Sequence, residues 1–509
     1  FTTKKKMFEL SSLIIFFVLG VVGWVIYKLY IWPIYITPLR RIPGPASENI
    51  LYGNFKTLLK EEQRFKWVQK YGKIVKYHGL FNQPVLMVAD TKIIQDMSIT
   101  RPYDFIKPPR MSAGYITLIG RGLAFAEGED HKRQRKVMNP AFIHNNIKEM
   151  VPTFIRVAST LKDLIEDKIN LGESNINLSY YISKATLDII GLVGFNYEFN
   201  SLTSSSNELS EVYDYLMNAK GTSLRFTIDI LSSYIPSFRK LPLDFNRKYS
   251  HGCAVIDRVS KKLIEERYNE AKNGELKGND LLSLLINANE ASPVEEKMTD
   301  QELKYQVMTL LLAGHESTSL SISWSLYLIV QHPHVQDLLR EELVKAFPDK
   351  SKFNPTFDEI NSLEYLNCIV KETLRIIPSV ATTIRVNLKD ELLGGYFIPK
   401  NTMIDIPITA LHKLPEIWGP TANDFNPERW LDSSVTNNIS NLDYLPFFTG
   451  PRICIGNKIA LTEFKILLSK LIRNFVFQPI EGFHIKKRNI HLTSKPDPYL
   501  GLTVSRVEG

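Results

Sequence analysis

Four stretches of this chain carry residue types and spacings that could do chemistry. The first is Phe447-Phe-Thr-Gly450-Pro-Arg452-Ile-Cys454-Ile-Gly456. A cysteine thiolate is an axial ligand for iron, and it needs help from its surroundings to stay deprotonated. Gly450 and Gly456, on either side of the cysteine, let the backbone fold tightly enough for amide N–H groups to approach the sulfur. Arg452 adds positive charge nearby. A lone cysteine is most often a buried structural residue, and that reading suits Cys253 and Cys368. It leaves the ordered F-x-x-G-x-R-x-C-x-G around Cys454 unexplained.

The second stretch is Ala313-Gly314-His315-Glu316-Ser317-Thr318, inside an otherwise apolar run. A carboxylate and hydroxyls there are costly unless partnered or functional. The bland reading is a hydroxyl bonding back to the carbonyl four residues earlier. The functional one is a proton relay through Glu316 and an adjacent hydroxyl, with small Ala313 and Gly314 leaving room for a ligand. The third is Glu372-Thr-Leu-Arg375, whose ends share one helix face. Most such pairs are solvated surface contacts of little weight. The fourth is the run Glu129-Asp130-His131-Lys132-Arg133-Gln134-Arg135-Lys136, which by charge alone is a wet helix face.

Together these segments resemble the cytochrome P-450 monooxygenases, in the expected order and over essentially the whole chain from the LRRIPGP motif (39–45) onward. The pattern around Cys454 is similar to the family's haem-binding loop, which implies Cys454 as the axial ligand of the iron of heme b, with Phe447, Gly450 and Gly456 shaping the loop. The 313–318 segment resembles the family's oxygen-activation motif. It implies Ala313 and Gly314 over the haem and Glu316, Ser317 and Thr318 in proton delivery. Ser317 stands where threonine is usual, so the hydroxyl is kept and the methyl that restricts its rotamer is lost.

Asn426-Pro427-Glu428-Arg429-Trp430 is similar to the family segment whose arginine completes a buried triad, here Glu372, Arg375 and Arg429. The resemblance further implies Arg135, Arg385 and Arg452 as propionate-binding cations. His131, where the family often has tryptophan, is a weaker donor to the same group. The basic run looks most like fungal members, and Lys132 and Arg133 are expected to face an acidic electron donor.

The implied reaction is insertion of one atom of dioxygen into a lipophilic substrate, by hydroxylation or epoxidation. Electrons would come from NADPH through a flavoprotein reductase, with cytochrome b5 as a further partner. Fatty acids, sterols, terpenoids and xenobiotics all fit as substrates. Two alternatives stand beside this reading: a haem-thiolate isomerase or dehydratase, which the intact acid–alcohol segment disfavours, and a membrane-tethered haem or sterol binder without turnover.

The elements that must position these residues are mostly helical. Thr299-Asp300-Gln301-Glu302 has capping-box spacing, and the chiefly apolar run after it predicts one long helix to about His332. A second helix carries Glu372 and Arg375 and ends before Pro378. Strands with a turn between them are expected in 74–90 and 396–408. The fold class is mainly α with a small β portion; the resemblance implies the family's large helical domain and small β-rich domain.

Composition agrees. Of 509 residues, 44% are hydrophobic and 23% charged, as in a folded globular protein. Three cysteines make no disulfide framework and no CxxC zinc spacing. The net charge is +8, but Lys4, Lys5, Lys6, Lys28, Arg40 and Arg41 against Glu9 place most of the excess near the N-terminus. Nucleic-acid binding, which needs a basic patch on the folded domain, is set aside.

Those charges flank Leu10–Tyr27, which carries none. About 20 apolar residues cross a bilayer core, and a cleaved signal peptide would have a shorter apolar region and a small-residue cleavage site. We expect residues 1–31 to be a single-pass anchor, 32–45 a stiff proline-rich linker, and 46–509 the catalytic portion. With translation starting at Met7, the positive flank falls on the C-terminal side of the span. That predicts a catalytic portion facing the cytosol from the endoplasmic reticulum.

Overall fold

The computed structural model describes residues 2–204, 208–218, 223–273, 278–490 and 493–507. It divides into two compact units, Phe1–Ile106 with Thr382–Leu414, and Lys107–Ala381 with Pro415–Gly509.

The first unit is built on short apolar runs. Ile74–His78 and Pro84–Val88 pair as an antiparallel hairpin with Val75 opposite Met87. Met403–Ile406 joins Pro84–Val88 in parallel, and Thr383–Asn387 and Phe105–Ile106 complete a five-stranded sheet. Pro84–Val88 is buried along its whole length, as a strand covered on both faces must be, which is why it reads as a continuous apolar run. Both strand-and-turn expectations, in 74–90 and 396–408, are met.

Asp405 is the polar centre of this unit. It accepts from Arg64 Nε and from the Tyr77 hydroxyl, each at 2.9 Å, and also from Thr382. Ahead of the sheet, Ser12–Ile36 is long and apolar enough to cross a membrane, and its most apolar stretch is not buried against protein; Pro33, near its end, is buried. Helical winding runs to Ile36, past the expected start of the linker, because wide turns tolerate the N–H that Pro33 lacks. The winding closes with Thr37 N–H on Trp32 O at 2.9 Å.

The second unit is helical around one axis, Asp300–Gln331. Its start is the expected capping box: Thr299 Oγ1 accepts from Glu302 N–H at 3.2 Å, and the Glu302 carboxylate accepts from Thr299 N–H at 2.9 Å. Its C-cap is His332, because Pro333 opens the next helix. The helices Leu178–Phe195, Asp244–Lys272, Glu364–Ile376 and Asn457–Asn474 pack against the axis. The antiparallel pair Lys486–Ile490 and Thr493–Asp497 lies on it too, and Trp324 Nε1 donates to Ser494 O at 2.8 Å. The polar runs 204–210 and 272–280 fall partly outside the described residues.

Candidate active site

Cys454 stands at the mouth of the helix Asn457–Asn474, with Gly456 as N-cap. A helix N-terminus presents unpaired N–H groups and a partial positive charge, both of which favour a thiolate. The loop before it is tight. Gly450, at φ +67°, opens a single 3₁₀ turn, and Cys454 N–H returns to Phe447 O at 3.0 Å. Phe447 packs its ring against the hydrophobic core, so the loop is anchored from below.

The thiol is accessible although protein atoms crowd it, as for a group facing an interior space. That depth pushes its pKa up, opposed by the Gly456 N–H and the Arg135 charge. Gly456 itself needs no special backbone angle. A Cβ there would meet nothing within 4 Å, so its contribution is the amide and the clear space beside the sulfur.

Arg135 reaches the loop directly: Nη1 donates to Ile453 O at 2.6 Å and Nε to Asn139 Oδ1 at 2.9 Å. His131, one turn earlier in the same Gly128–Met138 helix, is buried. Arg452 donates to Ala126 O at 2.6 Å and pairs with Glu127. Arg133 differs from expectation. It binds Glu302 at 2.5 Å inside the unit, so it tethers two helices and is not held out toward a partner. Lys132 pairs with Glu129 on the surface. Arg385 lies in the first unit, buried on Thr383–Asn387 and donating to Thr383 Oγ1 and Ile384 O.

Glu372, Arg375 and Arg429 come together as one fully buried network. Arg375 holds Glu372 through Nε at 2.9 Å and Nη2 at 2.7 Å, and Arg429 Nε adds a bond at 2.8 Å. Trp430 Nε1 and Asn426 N–H fill the remaining carboxylate positions, each at 3.0 Å. The excess positive charge is met by carbonyls of Ala422, Asp424 and Thr421.

On the long helix, Ala313 is exposed amid buried turns, so this face opens on free space. Gly314 serves a different purpose from the one expected: a Cβ there would come within 2.8 Å of Ile190 Cδ1, so its smallness admits the Leu178–Phe195 helix. Ser317 Oγ and Thr318 Oγ1 bond back to Ala313 O and Gly314 O at 2.8 and 3.3 Å. Thr318 is buried and Ser317 is not. His315, neighbour to Ser183 and Tyr213, is buried, which lowers its pKa to about 4.

Glu316 makes an ion pair that the sequence did not foretell, with Lys495 at 2.5 Å. Glu127, the partner of Arg452, was likewise missed. Its one signal was a place beside the basic run.

The sequence model of the family described as cytochrome P-450 matches residues 43–502, most of the chain. The chain belongs to the cytochrome P-450 family. Among its relatives is cytochrome P-450 monooxygenase 128 of Postia placenta, 33% identical over 93% of each chain. Another is cytochrome P-450 monooxygenase sphH of Aspergillus fumigatus, 31% identical over 89% of this chain and 86% of that one. The crystal structure of the cytochrome P-450DA heme domain superposes with a TM-score of 0.78 at 25% identity, covering 92% of this chain and 98% of that one. This P-450 is therefore a fungal-type haem-thiolate monooxygenase, an oxidoreductase with haem as cofactor.

Proposed function

We propose that this P-450 oxidises a lipophilic substrate with electrons from NADPH, passed by a flavoprotein reductase and assisted by cytochrome b5. In this reading the apolar N-terminal helix anchors it in the endoplasmic reticulum with the catalytic part facing the cytosol. Fatty acids, sterols, terpenoids and xenobiotics remain the substrate classes.

The observation that carries the site assignment is Cys454 at a helix N-terminus, with the Gly456 amide and the Arg135 charge directed at its sulfur. These residues fit a haem. The donor is a thiol, clear space lies beside Gly456, and a small exposed alanine marks an opening on the long helix. When bound, thiolate-ligated haem supplies reductive activation of dioxygen, the thiolate's electron donation favouring O–O cleavage. Coordination itself would keep the sulfur deprotonated despite its burial.

The other residues bind, orient and move protons. Arg135 and Arg452 would hold the propionates, with His131 a further donor; Arg452 would then exchange Glu127 for the propionate. Ala313 would leave room for the ligand, and Glu316 would pass protons to the Ser317 hydroxyl. Thr318 is the weaker choice, being buried where Ser317 is not. The Glu372–Arg375–Arg429 network would fix the segment leading to the Cys454 loop.

The test is the dithionite-reduced, carbon monoxide-treated spectrum of the purified protein. The strongly red-shifted Soret band of thiolate ligation is expected, and its loss in Cys454→Ala. An undiminished band in that variant would reject Cys454 as the ligand.

A further inference from the structure

The chain leaves its apolar N-terminal helix without coming loose from the sheet of the first unit. Pro33 has no N–H to offer the carbonyl four residues back, Leu29 O, and Asn82 Nδ2 donates to that carbonyl at 2.7 Å. Asn82 is fully buried, in the turn that joins Ile74–His78 to Pro84–Val88, and sits at φ +57°, a left-handed angle that asparagine tolerates. The turn is itself fixed. His78 Nδ1 bonds to Asn82 O at 3.2 Å, Gly79 N–H to Gln83 O at 2.8 Å, and Phe81 N–H to Leu51 O at 2.6 Å.

Attachment continues past the helix. Thr37, Leu39 and Ile42 are buried, Arg40 Nη1 donates to Tyr35 O at 2.6 Å, and the turn Pro38–Arg41 packs on the strand Tyr396–Ile398. Lys76 N–H then bonds to Pro43 O at 2.9 Å, and Asn54 Nδ2 to Ala46 O at 2.7 Å. A Cβ at Gly44 would collide with Lys76 O, so the backbone there lies directly on the strand. A flexible tether is solvated along its length and makes no such set of bonds.

We infer that residues 27–46 form a rigid joint between the membrane-spanning helix and the sheet of the first unit, with Asn82 as its pin. The sheet then takes up whatever tilt the span adopts. Ser12–Ile36 has 25 residues, and about 20 cross a bilayer core, so bilayer thickness sets that tilt. The joint passes the tilt to the sheet; a tether would lose it. The inference rests on the N-terminal helix crossing the bilayer, as proposed above.

The experiment uses full-length, haem-loaded protein in lipid nanodiscs, with spin labels at Phe16→Cys in the span and at Lys92→Cys, which is exposed on the first unit. Cys253→Ser removes a half-exposed native thiol; Cys368 is buried, and the haem withholds Cys454, the proposed ligand. Double electron–electron resonance reads the distance between the labels. One narrow peak is expected, at the same distance in short-chain and long-chain lipids. A Gly-Ser-Gly insertion between Ile36 and Thr37 should keep that peak, since Asn82 still holds Leu29 O. Adding Asn82→Gly to the insertion should replace the peak by a broad distribution. Glycine accepts φ +57° without strain, so haem per chain should not change.

A wild-type distribution as broad as that of the combined variant would show a tether, and the joint is then wrong while the anchor stands. If the insertion alone broadens the peak as much as the combined variant does, Asn82 is not the pin. Protein that stays soluble without detergent and does not enter nanodiscs would reject the anchor reading, and the joint with it.

Discussion

Two glutamates of the helical unit, Glu372 and Glu316, are held in opposite ways. Glu372 is completely buried and saturated: two arginines, an indole N–H and a backbone N–H occupy its oxygens. Glu316 has one ammonium, and it stands one residue from a half-exposed serine. A buried charge with every lone pair matched is fixed, and changing its protonation would break several bonds at once. A charge with one partner has only one bond to give up. The count of partners separates a carboxylate that is locked into the fold from one held by a single ion pair and proposed above to pass protons, although both sit in helices near the same core.

The strongest way to break this comparison is Arg375→Ala. It strands Glu372 beside one remaining arginine, and removing one member of a buried pair costs about 3–5 kcal/mol. That is a large part of a typical domain's stability. The expected outcome is loss of folded, haem-loaded protein, measured as haem per chain and by denaturant unfolding. A well-folded, loaded Arg375→Ala would show that the network is dispensable.

Lys495→Met should cost less, about 1–3 kcal/mol, as for one charge left short of one partner, and the variant should still load haem. The difference between the two unfolding midpoints is the quantity to measure. Equal losses would remove the distinction between the two glutamates.

The sequence bore these two sites unequally. Glu372 and Arg375 share a helix face at i, i+3, a spacing that alone carries little weight, and resemblance to the family supplied both its weight and Arg429. The long helix was legible to within a residue at both ends, because Thr299 and Pro333 act through purely local chemistry. Lys495 was not legible, since its meeting with Glu316 depends on how a C-terminal strand packs on the helix, and no spacing in the chain records that. The same holds for Gly314, whose reason is Ile190 on a neighbouring helix, and for Arg133, whose partner Glu302 is far along the chain. Local rules reached the caps, resemblance to the family reached the Cys454 loop, and pairings between distant elements needed the fold.

Glu302 offers an intermediate case between the two extremes. Burial works against its charge, but Arg133, the Thr299 N–H and Gln134 outweigh that and bring its pKa down to about 2. A carboxylate depressed in the folded state stabilises fully above its unfolded pKa and loses that contribution as pH falls through the folded value. Wild type should therefore exceed Glu302→Gln in stability at neutral pH, with the gap shrinking between about pH 4.5 and 2. Melting temperatures of the two proteins across that range make the check. A gap independent of pH would mean that the side chain's shape, and not its charge, is what matters there.

The smallest effect should come from Thr299→Ala. The substitution removes the hydroxyl that accepts from Glu302 N–H and touches the Glu302 carboxylate at 3.2 Å. It leaves the Thr299 backbone N–H in place, so that bond to Glu302 at 2.9 Å survives, as do those from Arg133 and Gln134. Losing an N-cap hydroxyl costs about 1 kcal/mol, and the tertiary partners of Glu302 should keep the loss near that value by holding the helix start in register. Combining Thr299→Ala with Glu302→Gln tests this directly. If the cap acts through Glu302, the double variant should lose less than the two single losses added together; strict additivity would mean that the cap and the tether hold the helix independently.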